Sequence, residues 1–179
     1  PNQETQETRS ESIGMKREIF SGFAVSADYV HSRGYNQYAW DDLNYPDPVT
    51  GVRPDPTLGR VIVYDNYGHS WYDALLVSVE NRRGTRGTWN VSYTLARTQR
   101  DVEGFQFTPQ DLRNKAADKS RADNDRRHQL VASATWQFPL GIQVGGVFQM
   151  RSGLPFNVTT GTDNNRDTFI VDRPDLAVP

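Results

Sequence analysis

Hydrophobic and polar side chains alternate with a period of two along residues 71–97. Leu75, Val77 and Val79 interleave with Ala74, Ser78 and Glu80, and Trp89, Val91, Tyr93 and Leu95 interleave with Asn90, Ser92, Thr94 and Ala96. That period belongs to a strand whose two faces meet different surroundings. The glycine-bearing residues 82–87 between the two arms read as a turn. Pairing about Gly84 sets Val79 opposite Trp89, Val77 opposite Val91 and Leu75 opposite Tyr93. Every odd apolar residue then falls on one face, and Leu76 is the apolar exception on the other. Each arm has room for the roughly 9–11 residues with which a tilted strand crosses a bilayer. A soluble hairpin with one buried face alternates in the same way, so this stretch alone admits both readings.

The remaining strands follow the same rule. Residues 9–18 alternate weakly around Ile13 and Met15, and after a short connection at 19–22 Phe23, Val25, Ala27 and Tyr29 alternate with small or polar neighbours. A third hairpin sets Leu130, Ala132, Ala134, Trp136 and Phe138 against Ile142, Val144, Gly146, Phe148 and Met150 about a turn at 139–141, with Ala132 facing Phe148 and Ala134 facing Gly146. Small opposite large fills a face without collision. Two long connections are expected, at 35–68 and 98–127. Pro46, Pro48, Pro54 and Pro56 deny the first a regular ladder, with a short strand predicted at 60–64. In the second, Thr108, Pro109 and Asp111 resemble an N-cap, first-turn proline and capping box, which predicts a helix from 108 to about 117. Further strands are predicted at 156–160 and 169–171. Three tight turns, at 19–22, 82–87 and 139–141, thus alternate with three long segments, 35–68, 98–127 and the tail from 161, and aromatic residues gather at both ends of the strands. This is the asymmetry and the double girdle of an outer-membrane barrel.

Bulk properties agree with that and exclude other classes. Hydrophobic residues make up 36% and mean hydropathy is −0.72, so no apolar run approaches a membrane helix. Twenty Lys and Arg against 22 Asp and Glu leave a net charge of −2, which offers no general attraction for nucleic acid. With no cysteine, neither a disulfide framework nor a thiolate metal site is available. The chain opens on Pro1 without the basic and apolar regions of a leader and stops amid a loop. It is therefore expected to be a fragment.

Several motifs resemble one family. Tyr72–Asp73–Ala74–Leu75, Ser92–Tyr93–Thr94, Asp125–Arg126–Arg127–His128, Ser152–Gly153–Leu154–Pro155–Phe156 and Arg173–Pro174–Asp175–Leu176 occur in an order and at spacings similar to the barrel of TonB-dependent outer-membrane receptors, of the type that carries a carboxypeptidase-regulatory-like domain. The resemblance covers most of residues 9–176. It implies a barrel of about 22 strands closed by an N-terminal plug and driven by a TonB-type energy complex of the inner membrane. Residues 1–179 show no plug and would supply about six or seven strands. The expected fold is thus all-β, an antiparallel up-and-down meander forming part of a large transmembrane β-barrel. The expected partners are outer-membrane lipid, the plug and the remaining strands. The expected place is the outer membrane of a Gram-negative type bacterium.

Two groups stand out as candidate sites. Tyr35, Tyr38, Trp40 and Tyr45, beside Asp41 and Asp42, could stack on a sugar or peptide, because amphipathic rings suit such ligands. Packing of the connection on its neighbours would use the same residues. Asp125, Arg126, Arg127 and His128 stand where a connection re-enters the sheet and read as a charged latch, or as a solvated strand entrance with its arginines paired to Asp123 and Asp125. Asp163, Asn165 and Asp167 have the spacing of a calcium loop but lack its glycine and glutamate, so a turn is expected. His31, His69 and His128 lie far apart. No nucleophile elbow, phosphate-binding glycine loop or dinucleotide fingerprint occurs, so no enzyme, cofactor or metal is expected. The expected function is uptake of an unidentified substrate. The alternatives are a soluble antiparallel binding domain and a passive or structural barrel.

Overall fold

A computed structural model of the chain describes residues 3–47, 49–82, 86–104 and 107–174. Its core is one antiparallel sheet of seven strands: β1 (Glu7–Phe20), β2 (Phe23–Asp42), β3 (Ile62–Asn81), β4 (Gly87–Arg100), β5 (Ser120–Arg121), β6 (His128–Gln137) and β7 (Gln143–Arg151). The order is β1-β2-β3-β4-β6-β7, each strand beside its neighbour in sequence, with the short β5 pairing the end of β4. The sheet is open, and β1 and β7 form its edges.

The alternation puts most of the apolar residues of the spanning strands on one face, with Val30, Leu76, Val131 and Val147 as exceptions on the other. Met15, Ala27, Val77, Tyr93, Leu130 and Met150 form a continuous row across six strands, each directly opposite the next. A parallel row runs through Val25, Val79, Val91, Ala132 and Phe148. Among the described residues no helix or second sheet lies on this face. Leu75, Phe148 and Met150 remain 42%, 59% and 59% exposed. A water-soluble sheet would cover so large an apolar surface.

The opposite face is mostly small, hydroxylic or polar. Ser10 bonds Ser32 and Ser26 bonds Ser78, each at 2.8 Å, while Thr88 bonds Thr135 at 2.9 Å. Lys16 and Arg82 both pair with Glu80 near the tight-turn end. Rows of cross-strand hydroxyl pairs are a wet surface, the inverse of a core.

The registers refine the sequence-based expectation. In the third hairpin Ala132 faces Phe148 and Ala134 faces Gly146, as the pattern predicts. In the β3–β4 hairpin the pairing sets Val79 opposite Val91, Val77 opposite Tyr93 and Leu75 opposite Leu95, two residues away from the expectation. Slipping by two returns each side chain to its own face, so the alternation could not distinguish these registers. Gly84, the expected pivot, lies outside the described residues.

Strand lengths differ more. β2 and β3 have 20 residues each, about twice what a bilayer crossing needs, and their connection shrinks from the expected 35–68 to 43–61. A register shift between Gly34 and Gln37, with Asn36 at a φ of 56°, kinks the ladder and lets it continue. Glycine leaves room here for the Ser70 and Gln37 side chains, since a Cβ on Gly34 would stand 2.4 Å from Ser70 Oγ and displace it. Pro46, Pro54 and Pro56 fall within 43–61 and break the ladder there, and Pro48 lies outside the described residues.

The predicted helix at 108–117 reduces to one 3-10 turn, Lys115–Asp118. Asp111 Oδ1 accepts the Arg113 N–H at 2.9 Å, an Asx turn that competes with helical bonding. The strands predicted at 156–160 and 169–171 do not form. Instead Thr160 N–H donates to the Asp172 carbonyl at 2.8 Å, tying those segments together.

Candidate functional site

Residues 43–61, 101–127 and 152–174 converge at one end of the sheet, while tight turns close the other. The extended ends of β2 and β3 carry the first of these segments upward. Packing around Trp40, Leu112 and Phe169 joins all three, with Tyr45 and Val171 alongside. Trp40 and Phe169 rings lie 5.5 Å apart, and the Arg60 guanidinium sits 3.9 Å above Phe169.

Buried acids organise the rest. Asp42 accepts the N–H groups of Asn44 and Val61, both at 2.9 Å, and pairs with Arg53 at 3.0 Å. The Asn44 amide donates to the carbonyls of Asp55, Leu58 and Gly59 and accepts the Asp55 N–H at 2.9 Å, which fixes the turn among the prolines. The Tyr45 hydroxyl donates to Asp167 Oδ2 at 2.9 Å across 122 residues of sequence. Burial and that carboxylate push the Tyr45 phenol well above its ordinary value. Burial opposes ionisation of Asp111, but bonds from Arg113 outweigh it and hold the carboxyl below the usual range.

The first group of sequence candidates is divided by this arrangement. Trp40 is 8% exposed and belongs to the small core. Tyr45 is half-buried beside it, Asp42 is buried on Arg53, and Asp41 meets Lys115 at 2.5 Å. Tyr38 is exposed, and Tyr35 contacts His69 edge-on and lies beneath the Arg9 guanidinium. The six residues therefore form no shared aromatic platform.

The second group is a set of local ties. Asp125 is fully buried and accepts the Thr98 N–H at 2.8 Å and Arg121 Nε at 2.6 Å. Arg126 donates to the Ser152 carbonyl at 3.1 Å, and the Arg127 carbonyl accepts the Ala96 N–H at 3.0 Å. His128 Nδ1 meets the Tyr93 hydroxyl at 2.7 Å. The carboxylate thus pairs with Arg121 rather than with Arg126 or Arg127. Its four-residue motif locks the connection to β4 and to the start of β6.

Asp163 forms a turn, its oxygens accepting the N–H groups of Asp167 and Thr168 at 3.0 and 2.9 Å. Among the described residues no group of three His, Cys, Asp or Glu is placed to hold a metal. The three histidines remain apart, His31 on Asp73 and His69 on Asp101. The last sequence motif continues into Asp175 and Leu176, outside the described residues.

A cavity of about 720 Å³ opens between residues 101–123 and the C-terminal segment, lined in part by Arg100, Glu103, Phe107, Asp118, Phe156 and Arg173. Asp118 is 2% exposed, and burial raises its carboxyl above the ordinary range. Its Oδ1 makes no hydrogen bond, although Arg173 lies 3.3 Å away, and Arg100 Nε is likewise buried without one. These residues gave no signal in the sequence, because they meet across long separations and in no repeated pattern.

An open antiparallel sheet with a bare apolar face, a wet opposite face, tight turns at one end and long ordered connections at the other defines the class of membrane β-barrels. The whole chain, residues 1–179, matches the outer membrane beta barrel domain family, and it belongs to that family. Its location is the cell outer membrane. No curated protein and no solved structure matches it.

Proposed function

We propose that this chain is part of the barrel of a TonB-dependent receptor that takes up a substrate through the outer membrane. The observation that supports the reading most is the division of the sheet's ends. Tight turns face the periplasm, and a packed crown of three connections faces outside, where a ligand arrives. The hydroxyl-lined face then borders the lumen, where the plug sits, and the remaining strands pair with the edges of β1 and β7. The motif order set out above supports the receptor type. No enzymatic step is assigned to the chain.

A pull-down with the soluble periplasmic domain of TonB tests the reading on the full-length protein. Specific retention is expected, and it is expected to disappear when the periplasmic segment through which such a receptor would engage TonB is deleted. Absence of retention, together with steady single-channel conductance in a planar bilayer, would replace the receptor by a passive pore.

A further inference from the structure

We propose that the apolar face of the sheet, at the end bearing the long connections, binds the phosphate headgroup of an anionic lipid through Arg33, Arg97 and Lys119 grouped around Trp71. The registers place these residues together. Arg33 lies directly opposite Trp71, and Arg97 directly opposite Asp73, two residues farther along β3. Lys119 reaches from the second long connection to bring its Nζ 3.8 Å from the Trp71 ring. All belong to the face that carries Leu75 and Leu95, which pair one step toward the membrane centre. Cationic groups beside aromatic and aliphatic ones are the match for a headgroup with its chains attached.

Three nearby carboxylates, Asp73, Glu7 and Asp101, are already engaged. Asp73 accepts the Tyr29 hydroxyl and meets His31, each at 2.7 Å. Glu7 pairs with Arg9 at 3.6 Å and Asp101 with His69 at 3.0 Å. Glu11, across from His31, bounds the patch on the edge strand. The Arg33 guanidinium donates to His31 Nε2 at 3.2 Å. Among the described residues Arg33, Arg97 and Lys119 make no ion pair. Arg9 also stands directly opposite Arg33. Arg9 has Glu7 as its counter-charge, and the Arg33 and Arg97 guanidinium forks suit phosphate oxygens.

Native mass spectrometry of the detergent-solubilised full-length protein, incubated with phosphatidic acid, tests the assignment. The wild type is expected to retain the lipid, and the R33Q/R97Q/K119Q variant to hold it at least roughly tenfold more weakly. Diacylglycerol, with the same chains and no phosphate, is expected not to be retained. Inorganic phosphate is expected to compete only weakly, because the apolar contact is missing. Equal retention by the triple variant, or equal retention of diacylglycerol, would overturn the proposal, and full competition by inorganic phosphate would replace the lipid with a free anion. If the triple variant does not fold, R97Q alone and a salt series from about 50 to about 500 mM give the answer, since an electrostatic headgroup contact weakens as salt rises. Retention unmoved by either would equally overturn it.

Discussion

The spanning part of the sheet and the crown of connections obey opposite rules. In the sheet the apolar residues lie outside and bare, as with Leu75 and Phe148, and hydroxyl pairs such as Ser26–Ser78 lie on the other face. In the crown Trp40, Leu112 and Phe169 are buried together, and Asp42, Asp125 and Asp167 are each buried on partners of their own. One region is held by its backbone ladder and by the solvent it faces. The other is a small globule whose buried carboxylates substitute for missing secondary structure. Stability in the two regions therefore responds to different changes.

Removing the crown's central ring should have the largest effect. Trp40→Ala is expected to cost the crown about 3–5 kcal/mol, read as faster hydrogen exchange over residues 41–61 while amides of β6 and β7 keep their protection. Loss of protection throughout the sheet would show that the two regions are not separable. Next, Val91→Arg places a charge on the bare face and should destabilise the folded barrel by about 2–4 kcal/mol in bilayers, while Ser92→Arg on the wet face should change it by less than about 1 kcal/mol. Comparable effects at both sites would erase the distinction between the faces.

Asp125→Asn tests the tie between the regions. It keeps the shape but weakens the bonds to Thr98 and Arg121, a loss of about 1–3 kcal/mol, expected as local opening of residues 120–128 in exchange measurements. Stability unchanged within error would make the motif a solvated strand entrance. The smallest effect concerns pH. The Asp118 carboxyl titrates higher in the folded crown than in the unfolded chain, so its contribution is fully present below the ordinary carboxylate range. That contribution is lost as pH rises through the folded value. Asp118→Asn lacks this loss, and its crown should gain on the wild type as pH rises from about 4 to about 7. A gap that narrows over that interval would contradict the burial assigned to Asp118.

The same contrast explains what was legible in the sequence. Period-two alternation states faces directly, so the strands, their side-chain assignment and the register of the third hairpin follow from residues 71–97 and 130–150. It is blind to a two-residue slip, which is why Val79 meets Val91 rather than Trp89. It also stops at the kink after Gly34, where parity changes, so the extensions of β2 and β3 were hidden among residues expected to be irregular. In the crown the decisive pairs are distant, as with Tyr45 and Asp167 at a separation of 122 residues. The aromatic and acidic residues of 35–45 were conspicuous by type. Which of them turn inward depends on Leu112 and Phe169, which no local pattern connects to them. The motif at 125–128 was visible as a charged cluster, but its true partner, Arg121, was assigned only by the fold.

Accessibility of spin labels placed one at a time at positions 75–79 and 91–95, in the full-length protein reconstituted in lipid, tests the central claim most directly. Labels at Leu75, Val77, Val79, Val91, Tyr93 and Leu95 should relax with dissolved oxygen, and those at Leu76, Ser78, Ser92 and Thr94 with a water-soluble nickel complex, in strict alternation. A uniform response along either strand would contradict a sheet with hydrocarbon on one side and water on the other.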